Sequence, residues 1–240
     1  MIKKIAMAVA GLALVGSAFA QNLPKFGMEG GAQTTPLGTI RVPYTTVVNY
    51  FGYVKPGSTP DGTENGKKMY YLYLWVPIVA PEIGIRMVSP WKAAYGKPDV
   101  KKGDFVAPDW AEGEKDTKNY FDTWVSLERS TIVAEADITS AKVKSAQWFK
   151  YGNNDDDSEL PAQPSGSKYN STLRVVSTPS DPLKALTRGL YRIGFTTYKV
   201  GEVQGSFFAQ VGAPIKIPGT VLGKDVDAVG KEAVAGASKK

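Results

Sequence analysis

The stretch Met69-Tyr70-Tyr71-Leu72-Tyr73-Leu74-Trp75-Val76 limits the fold more than any other part of the chain. In an extended strand, successive side chains point to opposite faces. One face here would carry Tyr71, Tyr73 and Trp75, and the other Tyr70, Leu72, Leu74 and Val76. Both sets are apolar or aromatic, so the strand must be covered on both sides, as a central strand in a layered β-structure is. Pro77 and Pro81 end it.

Other stretches fit around such a strand. Thr45–Val54 is β-branched and aromatic, as a pleated surface prefers, and stops at Lys55-Pro56-Gly57. Ile83–Val88, Tyr120–Leu127, Leu173–Val176, Gly189–Val200 and Val203–Val211 also read as strands. Asp181–Leu186 reads as a short helix, with Asp181 as N-cap and Pro182 at the first helical position. A C-terminal helix is expected within Leu222–Ser238, with Val226, Val229 and Ala233 on one face and Gly230 and Gly236 weakening it. Thr131–Phe149 fits either a continued strand or a short helix. Residues 90–118 form a charged, Gly/Pro-rich excursion. No βαβ alternation and no internal repeat appears. The expected fold is mainly β: a jelly-roll β-sandwich with a few short peripheral helices and a C-terminal helix.

Met1–Ala20 reads as a signal peptide. Lys3 and Lys4 precede the apolar run Ile5–Val15, and Ala18-Phe19-Ala20 supplies the cleavage site. Residues 21–44 would form an N-terminal arm and residues 45–240 one domain. No later stretch is apolar enough for a transmembrane helix, so any membrane association would be peripheral. The formal charge of +6 falls to +4 without the leader, and the basic residues are scattered, which argues against nucleic acid. The chain has no cysteine and no histidine. Disulfides, a thioether lipid anchor, the usual transition-metal ligands and His-dependent catalysis are therefore excluded.

Asn153-Asn154-Asp155-Asp156-Asp157 is the densest run of oxygen ligands, in a loop rich in Gly, Pro and Ser. Adjacent carboxylates repel one another, so they either stay solvated or share a cation. Calcium suits such a site, because it takes six to eight oxygens from carboxylates and carbonyls.

Several runs resemble the family of the major outer-membrane lipoprotein of pathogenic Leptospira and its marine bacterial relatives. They are Val48–Gly57, Tyr70–Pro77, Phe121-Asp122-Thr123-Trp124, Lys168-Tyr169-Asn170-Ser171 and, longest, Arg188–Lys199. They occur in order across most of Thr45–Gly212. The resemblance implies a jelly-roll sandwich with one calcium site, whose ligands fall on Asp122, Thr123, Asp155, Asp156 and the Tyr169 carbonyl. It also implies an exported envelope or surface protein with extracellular-matrix proteins, or glycans, as partners. Two departures stand out: Gly152, Asn153 and Asn154 replace further aspartates of the family's acidic tract, and its lipid-bearing cysteine has no counterpart.

The leading expectation is a non-enzymatic calcium-binding protein. The alternatives are a carbohydrate-binding module using exposed aromatics and a jelly-roll hydrolase. For the hydrolase, Glu82, Glu128 and Glu202 are candidate acids, although each reads more simply as a surface residue. Asn170-Ser171-Thr172 matches a glycosylation sequon but reads as incidental with bacterial-type export.

Overall fold

The computed structural model describes residues 32–35, 38–41, 44–91, 100, 103–198 and 201–238. The stretch read as a leader, Met1–Ala20, lies outside them. In the arm, β1 (Ala32–Thr35) and β2 (Gly38–Arg41) pair as an antiparallel hairpin. The domain then runs β3 (Thr45–Val54), β4 (Gly62–Glu64), β5 (Lys67–Val76), β6 (Glu82–Val88), β7 (Phe105–Val106) and the short helix α1 (Trp110–Gly113). Next come β8 (Thr123–Ser130), α2 (Ser140–Ser145), β9 (Trp148–Asn154), β10 (Ser171–Val176) and β11 (Gly189–Thr197). β12 (Gly205–Ala213), β13 (Val221–Gly223) and α3 (Val226–Ala237) complete it.

Two sheets result. One has the order β10-β6-β12-β3-β7; the other runs β13-β5-β11-β8-β9, with β4 paired to β5. All pairings are antiparallel except β3 with β7. The chain changes sheet between β3 and β4, between β5 and β6, between β7 and β8, and again at each link from β9 to β13. This is a mainly-β sandwich of the expected kind. As predicted, β5 is central and covered twice. Tyr70, Leu72, Leu74 and Val76 enter the core between the sheets. Trp75 lies with Leu190, Ile132, Val226 and Val229 in a second cluster under α3. Asp225 caps α3 by accepting from Ala228 N–H at 3.0 Å.

Some boundaries shift for tertiary reasons. β8 starts at Thr123 rather than Tyr120. The Phe121 N–H donates to Ser89 Oγ at 3.3 Å and its carbonyl accepts from Gln163 Nε2 at 2.7 Å, so neither joins the ladder. Asp181–Leu186 makes a single turn and no helix: the Lys184 and Ala185 N–H groups both donate to the Asp181 carbonyl at 2.9 Å, and the Leu186 carbonyl accepts from Ala80 N–H at 2.8 Å. Leu222 belongs to β13, so the C-terminal helix starts later than its broadest expected span. Asn153 and Asn154 lie on β9 and not in the acidic loop.

The core also carries phenols whose ionisation it opposes. Burial pushes Tyr50 and Tyr191 well above the ordinary value of 10.0, and burial together with the Glu82 carboxylate does the same to Tyr44. Burial, followed by hydrogen bonding to Asp116, pushes Tyr53 up to about 12. A raised tyrosine pKa favours the neutral phenol in the fold. Its stabilising contribution is complete below pH 10 and is lost as pH rises from there toward the folded-state value. In an alkaline ultraviolet titration, these phenols should ionise late, in one step with loss of circular dichroism. Smooth ionisation near pH 10 with the fold intact would contradict this.

Candidate functional site

The expected ligand residues sit where β8 begins, β9 ends and the 155–170 loop returns. Thr123 is fully buried. Its N–H donates to the Tyr169 carbonyl at 2.9 Å, its hydroxyl lies 3.3 Å from the same oxygen, and the hydroxyl donates to Ser171 Oγ at 2.8 Å. Ser171 Oγ in turn donates to the Thr123 carbonyl. β9 pairs with β8 so that Asn154 faces Val125. The chain leaving β9 therefore carries Asp155 and Asp156 along the edge where β8 begins. One residue further, the Asp157 N–H donates to the Asn170 carbonyl at 2.8 Å, and Asn154 Nδ2 donates to the Thr172 carbonyl at 2.7 Å.

Thr123 and Tyr169 are thus in direct contact, and both acidic segments border them. Asp122 and Asp155 are half-buried and Asp156 is exposed, so charge is presented at the rim of this junction. Among the described residues, no three acidic side chains form a metal-holding group. What the fold brings together is backbone, one hydroxyl and one carbonyl, with carboxylates alongside. All these donors are hard oxygens, the type a calcium ion takes, and in that respect the residues fit the ion.

Two buried amides hold the loop, and sequence reasoning missed both. Asn170, fully buried, accepts from Ser89 N–H at 2.9 Å and donates to the Pro161 carbonyl at 2.8 Å. Gln163 Nε2 donates to the Ser89 carbonyl at 2.9 Å as well as to Phe121. An Asn or Gln in a polar loop gives no sequence sign that it is buried, because its partners lie up to 81 residues away. The sequon amide is therefore enclosed in the folded protein and not presented for glycosylation.

The carboxylates weighed for hydrolysis sit apart and are engaged. Glu82 and Glu128 are buried, which corrects their reading as surface residues. Glu82 accepts from the Tyr44 hydroxyl, and Glu128 accepts from Arg192 at 2.6 Å. Glu202 is exposed and pairs with Lys68 at 2.9 Å. The tyrosines and tryptophans divide between the core and the outer face of one sheet. Tyr50, Tyr70 and Trp75 are buried, whereas Tyr73, Trp124 and Trp148 remain half-buried on the outer face of the β13–β9 sheet.

A family model described as "Lipl32: Surface lipoprotein of Spirochaetales order" matches residues 38–222. The match runs from β2 into β13 and includes every segment of the junction. No curated protein matches the chain.

Proposed function

The chain belongs to the Lipl32 family of surface lipoproteins of the Spirochaetales order, and on that premise we propose that it is a non-enzymatic, exported surface protein whose β8–β9 edge binds calcium. The observation that carries this reading is the hydrogen-bonded junction of Thr123 with Tyr169 and of Asp157 with Asn170, which sets two acidic segments beside a hydroxyl and a carbonyl. Asp122, Thr123, Asp155, Asp156 and the Tyr169 carbonyl would hold the ion. Bound there, it would offset the repulsion between carboxylates and fasten the 155–170 loop to β8. The engagement of Glu82 and Glu128 by Tyr44 and Arg192 supports the non-enzymatic part of the reading. Matrix-type proteins or glycans are the partner classes that follow from it, glycans being favoured by the half-exposed Tyr73, Trp124 and Trp148.

Isothermal titration of the protein with calcium tests the site. Binding is expected with a dissociation constant of roughly 10⁻⁷ to 10⁻⁴ M. At a hundredfold excess over that constant, calcium should stabilise the fold by about 2.7 kcal/mol, and a chelator should reverse the effect. The double change Asp155→Ala/Asp156→Ala should abolish the binding heat. Unchanged heat in that variant would sink the assignment.

A further inference from the structure

The three most exposed large apolar side chains among the described residues are Val176, at 65 %, and Val79 and Leu183, each at 61 %. The topology places all three at one end of the sandwich. Val79 lies in the link between the end of β5 and the start of β6. Val176 closes β10 opposite Glu82, the first residue of β6. Leu183 lies in the link from β10 to β11, whose first residue, Gly189, pairs with Val76 at the end of β5. Backbone hydrogen bonds join these links: Ala80 N–H to the Leu186 carbonyl at 2.8 Å, Ser177 N–H to Pro81 at 2.9 Å, and Thr178 N–H to Lys184 at 3.1 Å.

Two further exposed aliphatics belong to the same end. Val133 follows β8, where the Leu190 N–H donates to the Ile132 carbonyl at 2.9 Å, and Ile215 follows β12, whose last residue pairs with Thr45. The link Pro77-Ile78-Val79-Ala80-Pro81 carries no charge. Around it stand exposed Lys184, Arg188 and Lys216, with two carboxylates, Asp181 beside Lys184 and Glu135 paired to Arg188. The exposed tyrosines Tyr169 and Tyr198 lie at the opposite end, where β10 begins and β11 finishes. The chain enters the domain at the aliphatic end, since Tyr44, just before β3, donates to Glu82.

We propose that this end docks on an anionic lipid bilayer, with Val79, Val176 and Leu183 inserted at the boundary between headgroups and acyl chains. Exposed aliphatics on adjacent loops, rimmed by Lys184, Arg188 and Lys216 beside two carboxylates, suit that boundary: apolar burial supplies the affinity, and lysine and arginine meet the lipid phosphates. A protein partner is less well matched. Interface centres favour aromatic and arginine anchors seated in pockets, whereas the inserting residues here are aliphatic. Membrane contact through the fold also accords with a surface-lipoprotein family whose member here has no cysteine to take a thioether-linked lipid. The inference does not depend on the calcium reading, because the two sites lie at opposite ends of β8 and β10.

The test is co-flotation with vesicles, using protein recovered as the exporting cell processes it. Vesicles of phosphatidylcholine with about a quarter phosphatidylglycerol provide the anionic surface. The wild type should float with them and less with phosphatidylcholine alone. The triple change Val79→Asp/Val176→Asp/Leu183→Asp should lower the bound fraction about tenfold or more, since it charges the inserting surface. The residues are exposed, so far-ultraviolet circular dichroism should show the variant folded. Tyr198→Asp, at the other end, should bind as the wild type does. No flotation of the wild type, or equal flotation of the triple variant, overturns the proposal. So does loss of self-association in the triple variant without any vesicle binding, which would give this end to a second copy of the chain.

Discussion

Replacing Gly205 by alanine should destabilise the protein by about 3–5 kcal/mol, the range of the largest single-residue effects. Gly205 has φ +101°, in the region that L side chains avoid, and a Cβ there would lie 2.0 Å from the Asn119 carbonyl oxygen and 2.4 Å from its carbon. Those are backbone atoms, so no rotamer change relieves the clash. The Asn119 segment is also held from behind. One Asp116 carboxylate oxygen accepts from the N–H groups of Lys118 at 3.1 Å and Asn119 at 3.0 Å, and the other accepts from Asn119 Nδ2 at 2.9 Å and the Tyr53 hydroxyl at 3.0 Å. Burial alone would raise the Asp116 pKa, but these donors outweigh it and hold the carboxyl below its usual range. Movement of Gly205 instead would disturb β12, which lies between β3 and β6. Gly57→Ala is the control. Its φ is +80°, but nothing lies within 4 Å, so only the backbone conformation is penalised, by about 1–2 kcal/mol. Urea unfolding should separate the two variants clearly, and equal midpoints would refute the steric argument.

Arg192→Ala should cost about 3 kcal/mol, because it removes one partner of a buried ion pair and leaves the other. The guanidinium carbon lies 4.1 Å from the Tyr71 ring centre and 4.3 Å from that of Trp148. Its Nε and Nη2 donate to one Glu128 oxygen at 3.1 and 2.6 Å. The Glu128 side chain is only 6 % exposed, against 20 % for Arg192, so water entering the gap left by arginine solvates the carboxylate only in part. The alanine also forfeits stacking on two rings. Arg192→Lys should fall in between, since an ammonium keeps the charge but not the planar fork. Adding Glu128→Gln to Arg192→Ala should recover part of the loss, because the orphaned charge goes. A double-mutant cycle in urea measures these changes. A loss under about 1 kcal/mol for Arg192→Ala would show the pair to be solvated after all.

The local pattern was enough for most of the strands. β3, β5, β6 and β11 lie close to where alternation and proline punctuation put them, because strand patterning and turn residues act over a few positions. One expected reading failed where a distant partner decides. Glu82 and Glu128 were expected at the surface, but Tyr44, 38 residues away, and Arg192, 64 away, allow them to be buried. Gly230, a weak helix former, has a packing role that local pattern does not show. In the fold it lets α3 approach the Ile138 carbonyl, which a Cβ would meet at 2.2 Å.

By itself, then, the sequence determined which segments are extended, which faces are apolar and which residues carry oxygen ligands, since those properties are local to a few neighbouring side chains. Only the tertiary structure decided which charges are buried, which amides hold the 155–170 loop and which loops share an end of the sandwich. Those outcomes depend on register and hydrogen bonds between segments tens of residues apart, and short-range periodicity holds no record of them.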